Sequence, residues 1–393
     1  MSPARRRLTW VVVAAFGWPG LIWLAVTMFN ATPRTAAFDL ELLIQAGRDV
    51  ATGRSPYDPA MLGGGAPGAA DLFYSYPPPV AQAFSLVAGL PSAVLFAGLW
   101  TLAIAGLVVA AALVSRRFDP DGPVIDAVLP TLAVAPLFLP FGISLLFGNL
   151  DALFPLAYAL VLVAAVARSP RSGVAGGAAL GVATMAKIHP AGLGPWFVGR
   201  LLRERRAGEP LASLRVLLAA AATVAGILAL SLLAGGVELW REYVPVAGAA
   251  SNARLLDPRN VGPAAQLALL AGGDEALVRT LHLAVAVAAV AASLVAGWAV
   301  RDRLTGIAIA AVASLVLLPV TWYHYPTALI PFAVSAVVRA RGTPAAGRTT
   351  GLIAAAAVVG TLSIAWVPAL WLAIGLGLAS VVASGRSGEP HAA

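Results

Sequence analysis

Apolar residues in this chain come in long runs, and most of the polar residues are gathered in the gaps between them. A helix needs about 20 residues, within a range of roughly 17 to 25, to cross the hydrocarbon core of a bilayer. That window predicts about twelve spanning helices, near 8–29, 92–115, 124–141, 151–167, 171–187, 189–203, 212–234, 277–300, 304–320, 325–340, 349–366 and 368–384. Arg5, Arg6 and Arg7 precede the first run as they would a secretory signal. The run is too long for a signal, and it reads as an uncleaved anchor.

Two gaps are long. Residues 30–91 form the longer one and hold Asp39, Glu41, Asp49, Asp58 and Asp71, five of the 18 acidic residues. Within it Leu40, Leu43, Ile44 and Val50 fall on one side at helical spacing, with Glu41, Arg48 and Asp49 largely elsewhere. Residues 39–51 therefore predict an amphipathic helix lying along the membrane surface. Residues 78–90 are apolar but too few to cross, and prolines 77, 78 and 79 open them, so they predict a re-entrant or interfacial helix. The second long gap, 235–276, predicts a short amphipathic helix at 263–270. The polar tail, 385–393, reads as disordered.

Composition fits this pattern. The 393 residues are 60% hydrophobic and 11% charged, against roughly 25% charged in soluble domains. The fold class is an all-α integral membrane protein, a single polytopic unit over 1–393 that needs the lipid bilayer as its surroundings. The net charge of +8 comes from arginines that cluster between spans. Arg116/Arg117, Arg168/Arg171, Arg200–Arg206, Arg301/Arg303 and Arg339/Arg341/Arg348 fall on one side when the spans are counted from an inside N-terminus, while both long gaps fall on the other with more acids than arginines. That is the positive-inside bias, so the charge speaks for topology and no nucleic acid partner is expected. The chain has no cysteine, which excludes disulfides and thiol nucleophiles.

Few residues remain for chemistry. Asp39 lies about ten residues past the first run, close to the membrane surface. It is either the N-cap of the amphipathic helix or a catalytic carboxylate, and Asp58 is the reserve. Lys187 is the only lysine among 26 Lys and Arg residues and sits with His189 in MAKIHPAG at the outer end of a predicted span. It either snorkels to the headgroups or meets a phosphate. His324 stands in an aromatic belt with Trp322, Tyr323 and Tyr325; belts mark interfaces whatever the function, and a histidine there can also hydrogen-bond a phosphate or sugar. Asn149 and Asp151 suit a turn plus helix cap. Arg259 and Asn260 belong to a solvated loop or touch phosphate or acceptor, and Tyr76 is structural or stacks on a sugar. No metal-ligand spacing and no phosphate-binding glycine loop occurs, so neither metal nor cofactor is expected.

These positions come in a recognisable order: Asp39-Leu40, Gly53 to Tyr57, Tyr74 to Pro78, Gly148-Asn149, Lys187 to Pro190, and Pro319 with Trp322, His324 and Tyr325. In that order the chain resembles the bacterial polyprenyl-phosphate-sugar-dependent glycosyltransferases of the GT-C class, family 87, which include α-mannosyltransferases and an arabinofuranosyltransferase. It departs from them at Asn260-Val261-Gly262, where Asn-Gln-Ser is common, and at Thr321, where Ser is common. The resemblance implies transfer of a sugar, mannose before arabinofuranose, from a polyprenyl-phosphate donor to a glycolipid or polysaccharide acceptor outside the plasma membrane. It implies Asp39 as general base, with Lys187 and His324 on the phosphate and Tyr76, Asn149, Arg259 and Asn260 as substrate contacts. A multi-pass transporter or lipid flippase is the competing class, and a silent scaffold the third.

Overall fold

The computed structural model describes residues 3–31, 37–62 and 73–385, and every regular element among them is a helix. Helix α1 (Pro3–Ala31) leads to α2 (Phe38–Ala51), the one-turn α3 (Pro59–Leu62) and α4 (Pro78–Ser85). The amphipathic pattern of 39–51 is met by α2, which buries Leu40, Leu43 and Ile44. With 8 residues α4 is far too short to cross, and it packs on α2. The tail expected to be disordered lies outside the described residues beyond 385, as do 63–72 in the first long gap.

The chain continues through α5 (Ser92–Phe118), α6 (Ile125–Val134), α7 (Leu139–Phe147), α8 (Phe154–Ala167), α9 (Pro170–Ala186), α10 (Gly194–Arg206) and α11 (Ala212–Gly235). The second long gap folds as α12 (Glu238–Asn252) and α13 (Pro263–Leu270), the latter at the predicted residues. The last part holds α14 (Glu275–Ala299), α15 (Arg303–Ser314), α16 (Ile330–Ala340), α17 (Ala346–Thr361) and α18 (Pro368–Gly385).

Among the described residues, six helices are long and apolar enough to cross a membrane, or seven if α6 and α7, bent by 71°, count as one. The twelve expected windows are thus only partly met by full-length helices. The other apolar windows are shorter or broken, and proline explains most of the breaks. It lacks an N–H and cannot continue a helix without losing a bond. Pro136 and Pro140 flank the α6–α7 bend, and α15 stops at Ser314 with Pro319 beyond. Windows 189–203 and 325–340 open instead as 3-10 turns carrying Pro190 and Pro326.

The shorter helices are held by burial and close approach. Tyr158, Leu162, Trp196, Phe197, Ile307 and Phe332 meet in one core that joins α8, α10, α15 and α16. On α9, a Cβ added to Gly177 would fall 2.4 Å from the Val216 carbonyl oxygen of α11. One on Gly181 would fall 2.8 Å from that of Ala220. Four-residue spacing of small residues lets two backbones touch in this way. The packing holds α9, which ends just before Lys187, against α11.

Candidate active site

The site is built around a turn. Gly148 ends α7 in the left-handed region with φ 66°, and a Cβ there would lie 2.6 Å from Leu40 Cβ. Only glycine tolerates both conditions. The next residue, Asn149, is extended, and its Oδ1 accepts the Asp151 N–H at 2.9 Å to cap the 3-10 turn Leu150–Leu153. The cap expected from sequence is therefore present, and the same amide also binds three charged or titratable groups. Its Nδ2 donates to Asp39 Oδ2 at 2.7 Å and lies 3.2 Å from His324 Nε2. Its Oδ1 accepts from Lys187 Nζ at 3.0 Å.

Lys187 follows α9 in extended backbone, and its ammonium is buried. It does not snorkel. Nζ donates to Asp151 Oδ2 at 2.9 Å and lies 3.4 Å from His324 Nε2. The rings of Tyr76 and Tyr325 cover it with centroids at 5.5 and 5.0 Å, a cation–π arrangement. Asp151 is fully buried, so its carboxylate cancels the lysine charge in a low-dielectric setting. Beyond it stands His189, also fully buried, with its ring 4.5 Å from that of Tyr325. His189 Nε2 is 3.7 Å from Asp151 Oδ1, too far for a hydrogen bond, and neither atom has another partner.

Asp39 is not the N-cap of α2. That position is Ala37, with no side-chain cap and its own N–H donated to the Leu146 carbonyl at 2.8 Å. Asp39 sits one step inside the helix, where a carboxylate also suits the helix dipole. Burial raises its pKa, while the Asn149 hydrogen bond and the Lys187 ammonium oppose the rise. For His324, burial and then the Lys187 ammonium push the pKa down to about 3, so the imidazole is neutral.

Two further motifs support Tyr76. The hydroxyl of Tyr57 donates to the Tyr76 carbonyl at 3.1 Å, and Tyr74 donates to Pro77 at 3.2 Å.

A cavity of about 600 Å³ opens on this cluster and is lined by Asp39, Tyr76, Asn149, Lys187, Arg259 and His324 among others. Arg254, not singled out from sequence, lines it too. Arg259 forms a bidentate pair with Asp257 at 2.9 and 2.7 Å and stays largely exposed.

Two expected residues are not brought to the cavity. Asn260 is fully buried in its own loop. Its amide accepts from the Gly262 and Thr321 N–H groups at 3.0 Å each, and donates to the Leu255 and Pro319 carbonyls at 3.2 and 3.1 Å. With its hydrogen bonds spent on backbone it pins the loop to the segment after α15, and the structure does not bring it to the cavity wall. Thr321 spends its hydroxyl similarly, on the Leu315 carbonyl. Asp58 is exposed and accepts the Ala60 N–H at 2.8 Å at the start of α3, away from the cavity lining.

A model of glycosyltransferase family 87 matches residues 74–319, more than half of the 393 residues. The chain belongs to glycosyltransferase family 87. No curated protein matches it. A membrane glycosyltransferase of family 87 accords with the long apolar helices. The family 87 match takes in Tyr76, Asn149, Asp151, Lys187 and Arg259, with Asp39 before it and His324 after it.

Asp151 and His189 are the members of the cluster that the sequence left out of the site. A signal for Asp151 was present: it is the one charged residue in the run 151–167, and ionisable groups in apolar spans are functional by default.

Proposed function

We propose that this family 87 member moves a sugar, mannose in our reading, from a polyprenyl-phosphate donor to a hydroxyl of a glycolipid or polysaccharide acceptor. We further propose that the transfer takes place at the outer side of the plasma membrane and inverts the anomeric centre. The observation that carries the reading is the Asn149 amide, which holds the Asp39 carboxylate at 2.7 Å and the Lys187 ammonium at 3.0 Å on the wall of one cavity.

Inverting transfer needs a base and a stabilised leaving group. The acceptor oxygen attacks the anomeric carbon as its proton passes to Asp39. The bond from that carbon to the phosphate oxygen breaks, and polyprenyl phosphate leaves with one more negative charge. A raised carboxylate pKa suits a base at neutral pH better than that of free aspartate, about 3.9. Lys187 is already paired with Asp151, so in this reading it meets the phosphate together with Arg254 and Arg259. The neutral imidazole of His324 orients a donor oxygen by hydrogen bonding.

The test separates the roles. Asp39→Asn keeps the size and loses the basicity, so transfer from a polyprenyl-phosphate sugar should fall about 10²–10⁴-fold with donor binding retained. Lys187→Ala should weaken donor binding as well, because the phosphate is charged before and after transfer. Near-normal transfer by Asp39→Asn would remove it as base.

The outward orientation rests on the arginines in the last turns of α5, α10 and α16, at the ends of those helices away from the site. A cysteine at exposed Ala60 should react with an impermeant thiol reagent in intact cells, and one at exposed Ala207 should not. The reverse pattern would turn the site inward.

A further inference from the structure

A second cavity, of about 320 Å³, lies away from Asp39, along α16. Its floor is α15 and α16, contributing Ala308, Val312, Phe332 and Ala333, and its walls are α6, α17 and α18. It runs along α18 from Leu370 to Val381 and along α16 from Leu329 to Arg341. At 1.5 Å per residue these stretches are about 16–18 Å long, close to half of a hydrocarbon core about 30 Å thick. The slot therefore has the length of one leaflet.

Its lining is apolar apart from Thr131, whose hydroxyl is spent on the Ala127 carbonyl, and from one end, where Asp126, Arg341 and Thr350 stand. There Asp126 takes Arg6 at 2.9 Å and Arg7 at 2.8 Å, and Arg341 reaches Asp119 at 3.4 Å and the Asp126 carbonyl. Three arginines thus face two aspartates, and Arg6 and Arg7 remain about half exposed. An apolar slot one leaflet long, ending in surplus guanidinium charge, matches a hydrocarbon chain bearing an anionic phosphate head. Arginine is the side chain best suited to phosphate.

We propose that this slot binds an anionic glycerophospholipid of the surrounding bilayer, with one acyl chain along α16 and the phosphate at Arg6, Arg7 and Arg341. The site is separate from the sugar-transfer cavity, and the inference does not rest on the identity of the donor. The inner end of the chain would reach Leu329 and Ile330, at the end of the 3-10 turn Tyr325–Leu329. The lipid would thereby buttress the segment that carries His324.

The experiment uses the full chain in detergent with added phosphatidylglycerol or phosphatidylcholine of identical acyl chains. Thermal unfolding and retention in native mass spectrometry are the two readouts. A ligand that binds the folded state raises the melting temperature, so phosphatidylglycerol should raise it by several degrees and stay bound, with phosphatidylcholine doing clearly less. Arg341→Gln should erase the difference between the two lipids. Ala354→Phe, at an exposed lining position on α17, fills the slot without displacing a packed side chain, and it should abolish retention of both. Equal shifts by the two lipids in the wild type would overturn the proposal. So would undiminished phosphatidylglycerol retention in Ala354→Phe.

Discussion

Among the described residues, two clusters of buried charge are handled in opposite ways. At the end of α10 away from the site, Glu204 is fully buried and accepts from the Ser213 N–H and hydroxyl at 3.0 and 3.1 Å. Arg303 adds a bond to it at 3.2 Å and donates to the Ala165 carbonyl at 3.0 Å. Arg200 lies 3.6 Å from Glu209, which also pairs with Arg168. These residues tie together α8, α10, α11 and α15, and none of them lines either cavity described above. The cluster of Asp39, Asn149, Asp151, Lys187, His189 and His324 is as crowded, but its carboxylate at Asp39 and its ammonium at Lys187 reach a cavity wall. A buried ion pair by itself is weak evidence of function. What separates the two clusters is an opening through which a substrate can meet the charge.

The sharpest way to break this comparison is to remove one anion from each cluster. Stranding a buried charge typically costs about 3–5 kcal/mol, so Glu204→Ala should lower thermal stability by that order. Transfer per folded molecule should stay unchanged. Asp151→Asn should lower stability too, because Lys187 loses its carboxylate. It should also cut transfer about 10²-fold, the effect of misplacing a group that meets the substrate. Unfolding curves and rates normalised to folded protein give both readings. Equal loss of specific activity in the two variants would erase the distinction between a tie and a site.

A smaller effect sharpens it. Burial, set against the Asn149 hydrogen bond and the Lys187 ammonium, holds the Asp39 pKa above its ordinary value. If Asp39 is the base, as proposed, it works only when deprotonated, so wild-type kcat should fall as the pH drops through that raised pKa. Asn149→Ala removes the donor that favours the carboxylate, so the acidic limb should move to higher pH. The residual rate of Asp39→Asn should lack the limb. Glu204→Ala, outside the cavity, should leave it where it stands. A limb unmoved by Asn149→Ala would argue that another group titrates.

How much of this was legible beforehand differs by residue, for physical reasons. The α2 helix was readable because amphipathic spacing is a local property, and α13 because Pro263 opens a short apolar run. Lys187 and His324 could be named as polar residues at the ends of apolar runs, and Asp39, Tyr76 and Asn149 only through the resemblance to the family. Their convergence could not, since the hydrogen bonds that join them to Asn149 span 110, 38 and 175 residues. His189 was visible beside Lys187, but only the fold shows that it faces Asp151. Asn260 reads in sequence as a solvent-facing loop residue, whereas the loop spends that amide on its own backbone. Six or seven of the twelve windows form full-length helices among the described residues, because hydropathy measures apolar content and is blind to where proline interrupts a helix.

The smallest expected effect tests the same lesson at a single carboxylate. Asp58 belongs to the same long gap as Asp39 and carries the same group, but it is exposed and accepts only the Ala60 N–H at 2.8 Å. Asparagine can accept that bond about as well, and surface substitutions away from special features usually change little. Asp58→Asn should therefore leave both melting temperature and transfer at wild-type values. The comparison with Asp39→Asn in the same preparation is the decisive one, since the two substitutions are chemically identical and differ only in what surrounds them. A collapse of transfer in Asp58→Asn with stability intact would mean that this loop closes over the cavity during turnover. The base would then have to be sought there and not at Asp39.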